Sequence, residues 1–235
     1  MPADSPPTRD RLIEAARHLF WERGYGAASL ADILTGARAN SGSFYHFFDS
    51  KEALLRAVLA SYLEGLEPVV MNPARQAVDD PIERIFAVLA GYRAKLLATQ
   101  CTYGCPLGRL ALEVDAENRP TQDLIAKNFG AWRAAIRGFL DEARDRLPAD
   151  LDPDGLATLV LSIMEGGVMQ ARAAGSPEPF DRSVAQLRDY FRRLLEPATE
   201  PTATHVSART KSAVKSPTRK PKQRHSTPTR RRTSR

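Results

Sequence analysis

The stretch Ser29–Lys51, SLADILTGARANSGSFYHFFDSK, decides how the rest of the chain is read. Ser29 and Asp32 have the spacing of a capping box, and Leu30, Ile33 and Leu34 give the helix that follows an apolar face. Gly36 to Ala39 reads as a turn. Asn40 is placed to cap a second short helix, SGSFYHF, on which Phe44 and Phe48 lie four apart while Ser41, Ser43, Tyr45 and His46 face elsewhere. The outline is a helix-turn-helix. Its second helix carries hydroxyls, an imidazole and a phenol with almost no charge, a set suited to base edges and phosphates in a major groove about 12 Å wide. Ser41, Gly42 and Ser43 are expected to bring backbone and hydroxyls to the DNA, and Tyr45 and His46 to contact phosphate or base. Lys51, at the start of the next helix, is expected to hold a phosphate, and the caps Ser29 and Asn40 complete the candidate DNA-binding set.

Outward from this stretch, every segment with a pattern is helical. Met1 to Pro7 is a Pro-rich lead-in, and Leu12, Ala16, Leu19 and Phe20 then recur at helical spacing from about Thr8 to Arg23 until Gly24 and Gly26 end the run. After Ser50, the run KEALLRAVLASYLEGLEPVV reads as one long helix to about Val70. Asp79, Asp80, Pro81 and Glu83 make a strong start for a helix reaching about Ala98. Gly104, Pro106 and Gly108 then break the pattern, which puts Cys101 and Cys105 at a helix junction before Leu107 to Val114 resume it. Thr121 is the expected cap of a helix ending before Pro148; Asp152 and Pro153 start another through Ala174, and the last runs from about Phe180 to Leu195. Gly166, Gly167, Ala171 and Ala174 form a small-residue strip that a second helix could approach closely.

Composition narrows the function classes. With 235 residues and 43% hydrophobic content, the chain can bury a sizeable core. No apolar run approaches the length of a membrane span, and the amino terminus lacks the apolar centre of a signal peptide, so a cytoplasmic protein without a membrane partner is expected. The net charge of +6 is concentrated at one end: from Pro197 onward eleven Lys and Arg face one Glu, which leaves the first 196 residues negative. That end, residues 197–235, reads as a disordered basic tail, either a nonspecific DNA-binding arm or a solvated extension. The four His lack ligand spacing with the two Cys, and no phosphate loop, nucleophile elbow or zinc-protease motif is present, so neither a metal, a cofactor nor an enzymatic activity is expected. The consecutive acids Asp79/Asp80 and Asp141/Glu142 read as solvated faces.

In the amino-terminal helix RDRLIEAARHLFWERGYGAASL and the run GSFYHFFDSKEALL, the chain resembles the TetR family of bacterial one-component regulators. The resemblance implies an all-α protein: a three-helix helix-turn-helix DNA-binding domain over 8–50 and a ligand-sensing and dimerisation helical domain over 51–196, after a flexible 1–7. It implies a homodimer that binds a palindromic double-stranded operator, most often as a repressor, and answers a small-molecule effector. The last two long helices resemble the family's dimerisation pair. One departure concerns the turn, where the family usually has glycine and this chain has Arg38; either Gly36 takes the left-handed position or the turn differs. The other class of function is a nonspecific architectural DNA binder acting mainly through the tail.

Cys105 lies in GCPLGRLALE, similar to a GC-x-x-G-x-L-A-x-E segment of a family subset in which some regulators respond to electrophiles or oxidants through a cysteine. The resemblance makes Cys105, with Cys101 nearby, the candidate effector-sensing pair. A thiol near a helix start can have its pKa lowered by exposed N–H groups, whereas a buried Cys filling space beside glycines would be inert, and the residues leave both readings open. A pocket, if formed, would draw on Phe86, Tyr92, Phe129, Trp132, Met164 and Met169.

Overall fold

A computed structural model describes residues 6–196, and among them the regular structure is entirely helical. The tail expected over 197–235 and the first five residues of the lead-in lie outside the described residues. The described part forms one compact unit.

The first helix, α1 (Thr8–Arg23), buries Leu12, Ala16 and Phe20 and packs on α2 (Leu30–Ala37) and α3 (Ser41–Phe47). The capping box at Ser29 is complete: its hydroxyl accepts from Asp32 N at 3.1 Å, and its own N–H reaches Asp32 Oδ2 at 3.4 Å. Asn40 Oδ1 accepts from Ser43 N at 2.8 Å and starts α3. Between the two helices Arg38 itself takes the left-handed conformation, φ 50° and ψ 48°. Gly36 stays helical, where a Cβ would come within 3.3 Å of Ala15 Cβ, so its role is close approach to α1. Arg11 offsets part of the strain by donating from Nε to the Ala37 carbonyl at 3.0 Å, a cation at the negative end of α2.

The rod expected as one helix to Val70 is continuous but irregular. After α4 (Lys51–Gly65) the chain widens into a π-helical segment, Leu66–Met71, and tightens again in α5 (Asn72–Ala77). A π segment inserts an extra residue into the turn and shifts the faces beyond it. Next come α6 (Pro81–Ala98) and α7 (Pro106–Glu113). At the α6 start, Asp80 Oδ1 accepts from Ile82 N and Glu83 N while Oδ2 pairs with Arg146, so Asp80 is a cap and not a solvated face; Glu142 likewise pairs with Arg84. Helix α8 (Arg119–Glu142) begins earlier than expected: Asn118, not Thr121, is its cap, because Pro120 needs no N–H partner in the first turn. The chain ends in α9 (Pro153–Ala174) and α10 (Glu178–Leu195).

The core has two clusters. One, around Leu12, Phe20, Ile33, Phe44, Leu54 and Leu59, holds the amino-terminal helices together and takes in Leu110, Val114 and Ile125 from α7 and α8. The other joins α6, α8, α9 and α10, and Leu107 and Phe129 pack against both. The small-residue strip of α9 is divided. Gly167 faces inward, where a Cβ would meet Phe180 Cδ2 at 3.0 Å, and Ala171 is buried, whereas Gly166 and Ala174 look outward.

Candidate functional site

The sequence-derived reading set gathers on and around α3. Ser41 and Gly42 are exposed, Ser43 is half-buried with its N–H held by Asn40, and His46 is exposed with its ring edge-on to Phe47 at 4.7 Å. Tyr45 is 59% exposed and its ring meets Phe44 at 5.1 Å, so the fold turns the phenol outward from a buried Phe. Ser29 lies at the start of α2, and its hydroxyl donates to Asp32 Oδ2 at 2.7 Å, a bond that holds the Asp32 carboxyl below the usual carboxylate range. Lys51 is more enclosed than expected. Its Nζ donates to the Tyr25 carbonyl at 2.5 Å and lies 4.5 Å from the Tyr25 ring centroid, and burial pushes its pKa down. Two exposed residues beside this set were passed over in the sequence. Phe47 appeared only within the helix SGSFYHF, and Arg38 was weighed for its backbone and not for its charge.

A second site lies in the body. A cavity of about 150 Å3 opens between α1, α4, α6, α8 and α9, and Tyr92, Phe129, Trp132 and Met164 line it as expected. Phe86 does not reach it, because it packs on Phe191 with ring centroids 5.6 Å apart. Met169 does not either: it lies on the outer side of α9 and is 63% exposed. Tyr62, which helical spacing places on one stripe with Leu54, Val58 and Leu66, also lines the cavity, as do Lys95 and Glu165, polar residues that spacing did not mark as inward. The Trp132 indole N–H donates to Tyr92 Oη at 3.2 Å, which leaves the Tyr92 proton available to a further acceptor. Burial raises the pKa of both Tyr62 and Tyr92, so they stay neutral donors.

Cys105 is the residue before α7 and lines this cavity; it and Cys101 are both buried and unpaired. Of the two readings open for Cys105, its surroundings favour the buried, protonated thiol. Amides of Leu107 and Gly108 do favour the thiolate, but burial and then the neighbouring Glu165 outweigh them and push the thiol up. Gly108 is what lets Glu165 approach, since a Cβ there would lie 2.5 Å from Glu165 Oε2. Burial raises the Glu165 carboxyl in turn, and its Oε1 is buried without a hydrogen-bond partner among the described residues. The junction behind Cys105 is strained: Gln100 and Cys101 both have positive φ, 50° and 56°.

From Cys105 the short α7 leads directly to the amino-terminal helices. Arg109 donates to the carbonyls of Trp21, Glu22 and Arg23, the last turn of α1, at 3.3, 3.1 and 2.6 Å. Glu113 pairs with Arg109 at 2.7 Å and accepts from Tyr25 N at 2.6 Å and Gly26 N at 3.3 Å. Gly24 lies between these two side chains at φ 90°, where a Cβ would meet Glu113 Oε1 at 2.2 Å. Trp21 Nε1 adds a bond to the Gly104 carbonyl at 2.7 Å. One eight-residue helix therefore touches the cavity at its start and clamps the DNA-binding unit along its length.

Comparison with known proteins agrees with this architecture. Residues 12–58 match the family model described as bacterial regulatory proteins, tetR family, and residues 81–187 match the tetracyclin repressor-like C-terminal domain; together the two matches cover more than half of the chain. The HTH-type transcriptional repressor DhaR of Mycobacterium sp. (strain GP1) is 28% identical over 196 residues, 83% of this chain and 95% of that protein. Among solved structures, the regulatory protein TetR from Rhodobacter sphaeroides superposes with a TM-score of 0.71 at 24% identity, over 78% of this chain and 98% of that one. The reduced form of Escherichia coli NemR gives 0.68 at 25% identity, over 78% and 96%. With a helix-turn-helix of this geometry, an all-helical body and both family models matched, the chain belongs to the TetR family of DNA-binding transcriptional regulators.

Proposed function

We propose that the protein is a homodimeric repressor that reads a palindromic operator with α3 and leaves it when a small molecule fills the cavity beside Cys105. The observation that carries this reading is the clamp of Arg109 and Glu113 on the end of α1. Because α7 starts at the cavity wall, an occupant that favours another position of α7 also favours another orientation of the reading head. An effector shifts that equilibrium only by its difference in affinity for the two states. The name of DhaR as a repressor supports the sign of regulation.

In this reading the DNA-binding domain spans 8–50 and the sensing and dimerisation domain 51–196. Ser41, Gly42, Ser43, Tyr45 and His46 meet the groove, while Ser29 and Asn40 set the starts of the two short helices. Lys51 adds a phosphate contact through the donors that Tyr25 leaves unused. A seven-residue helix reaches only a few base pairs, so useful specificity calls for two copies on a twofold-related site. The outward stripe of α9, with Leu159 at 41% and Met169 at 63% exposed and Gly166 open between them, suits the partner. Of the two release routes open to this cavity, occupancy fits better than modification of Cys105, since the buried thiol is held protonated.

Operator selection from random duplex DNA, run with the whole chain and with a chain ending at Glu196, tests the reading. A palindrome enriched by both forms supports it. Loss of most binding in the shorter form, with no enriched sequence in either, would replace it with an architectural binder that works through the tail.

A further inference from the structure

The chemistry of the cavity names the class of its occupant, an inference that rests on the cavity being the effector site. Its volume, about 150 Å3, is that of an apolar cavity able to hold one benzene ring. Tyr62, Tyr92, Phe129 and Trp132 supply aromatic faces and edges, and Met164 a polarisable contact. The wall also has an adaptable side, since Leu66, Val69 and Val70 of the π-helical segment line it; such segments recur at functional sites.

Two polar groups at this cavity keep hydrogen-bonding capacity that the described residues do not use. The Lys95 ammonium makes neither an ion pair nor a hydrogen bond to them, and it lies 5.5 Å from the centroid of the Tyr92 ring. Much of the Lys95 residue is open to solvent, and the part that lines the cavity is buried enough to lower its pKa. Arg17, the other cation of the wall, is already held by Glu14 at 2.7 and 2.8 Å. The second group is Glu165, whose Oε1 is buried with no partner. That oxygen is turned away from the open space, so an occupant reaches it when the carboxyl, which lines the cavity, rotates about its last bond.

We propose that the cavity binds a single-ring aromatic acid bearing a ring hydroxyl, with the carboxylate paired to Lys95 and the hydroxyl bonded to the Glu165 carboxyl. An aromatic hydrocarbon would fill the volume and leave both groups unsatisfied. An aromatic cation would meet the Lys95 ammonium.

The chain has two tryptophans, Trp21 and Trp132, and both line the cavity, so tryptophan fluorescence reports occupancy without a label. The whole chain is titrated by calorimetry and fluorescence with 3- and 4-hydroxybenzoate, with the matching hydroxybenzamides and with benzoate. At least one hydroxybenzoate is expected to saturate, with its amide weaker by roughly tenfold or more, as for a lost charge-assisted pair. Lys95→Met should level acid and amide, and Glu165→Leu should level hydroxybenzoate and benzoate; thermal melts of both variants verify folding. Equal affinity for acid and amide, an acid preference that survives Lys95→Met, or no saturable binding of either hydroxybenzoate overturns the assignment. Binding is read here without DNA. Failure to select an operator would therefore remove the repressor reading alone, whereas saturable binding that leaves operator affinity unchanged would keep the ligand class and remove the effector role.

Discussion

The two cores of this protein are built to different standards. Around Phe44, Leu12, Ile33, Leu54 and Leu55 the amino-terminal cluster is closed, each of these side chains having no exposure, and the buried Asn128 beside it is satisfied by the carbonyls of Leu59 and Leu124. The body core is just as apolar around Ile136, Phe139 and Leu140, yet near its junction with the other cluster it keeps a cavity bordered by a thiol, a lysine and an unpartnered carboxylate. A reading head gains from one rigid arrangement of α3. A sensor needs a place where stability is forgone until a ligand arrives, and unsatisfied buried groups are such a place.

Four substitutions probe this contrast. Phe44→Ala should have the largest effect, about 3–5 kcal/mol lost in denaturant unfolding, because the closed cluster cannot collapse around the missing ring. A loss below about 1 kcal/mol would mean that the head is as loosely packed as the cavity region. Next is Gly24→Ala, where φ 90° and the approach of Glu113 act together. About 2–3 kcal/mol is expected from strain and a displaced clamp, read as a lower denaturation midpoint with faster hydrogen exchange at Tyr25 and Gly26. Arg38→Gly should stabilise the head by about 1 kcal/mol, since glycine adopts the left-handed turn without the side-chain penalty. The same variant should bind operator DNA less well if the exposed guanidinium meets a phosphate, and an unchanged affinity would confine Arg38 to the turn.

The smallest effect concerns pH. Burial raises the Glu165 carboxyl in the folded chain above its unfolded value, so near pH 4 both states hold the proton and the group has little influence. As pH rises through the folded pKa, the unfolded state ionises more readily and folding stability falls. Glu165→Gln should therefore melt like the parent at pH 4 and above it at pH 7.5. Equal melting at both values would show that Glu165 is better solvated than the cavity geometry implies.

Much of the head was legible in the sequence because its signals are local. Ser29 with Asp32, Asn40 with Ser43, and the Phe44/Phe48 pair act within four residues, and the structure places all of them as their spacing requires. Even there one choice stayed open, between Gly36 and a different turn. It was settled by the packing of Gly36 against Ala15 and by Arg11 on the Ala37 carbonyl, partners from another helix. In the body, helical spacing nominated Tyr92, Phe129, Trp132 and Met164 correctly, but it nominated Phe86 and Met169 by the same rule. Periodicity tells which residues share a face and not which faces enclose a void. Cys105 shows the same limit: its position before a helix allowed a thiolate and its glycine neighbours an inert thiol, and burial with the approach of Glu165 decided for the second.

The sequence by itself determined the helices, their caps and the family resemblance, since hydrogen bonds and side-chain spacing within one or two turns are set by near neighbours in the chain. Only the tertiary structure decided that Glu113 would accept the amide of Tyr25, 88 residues away, and that Glu165 would stand beside Cys105 with an oxygen unpaired. Those contacts depend on how all the helices pack at once, and no short stretch of residues carries that information.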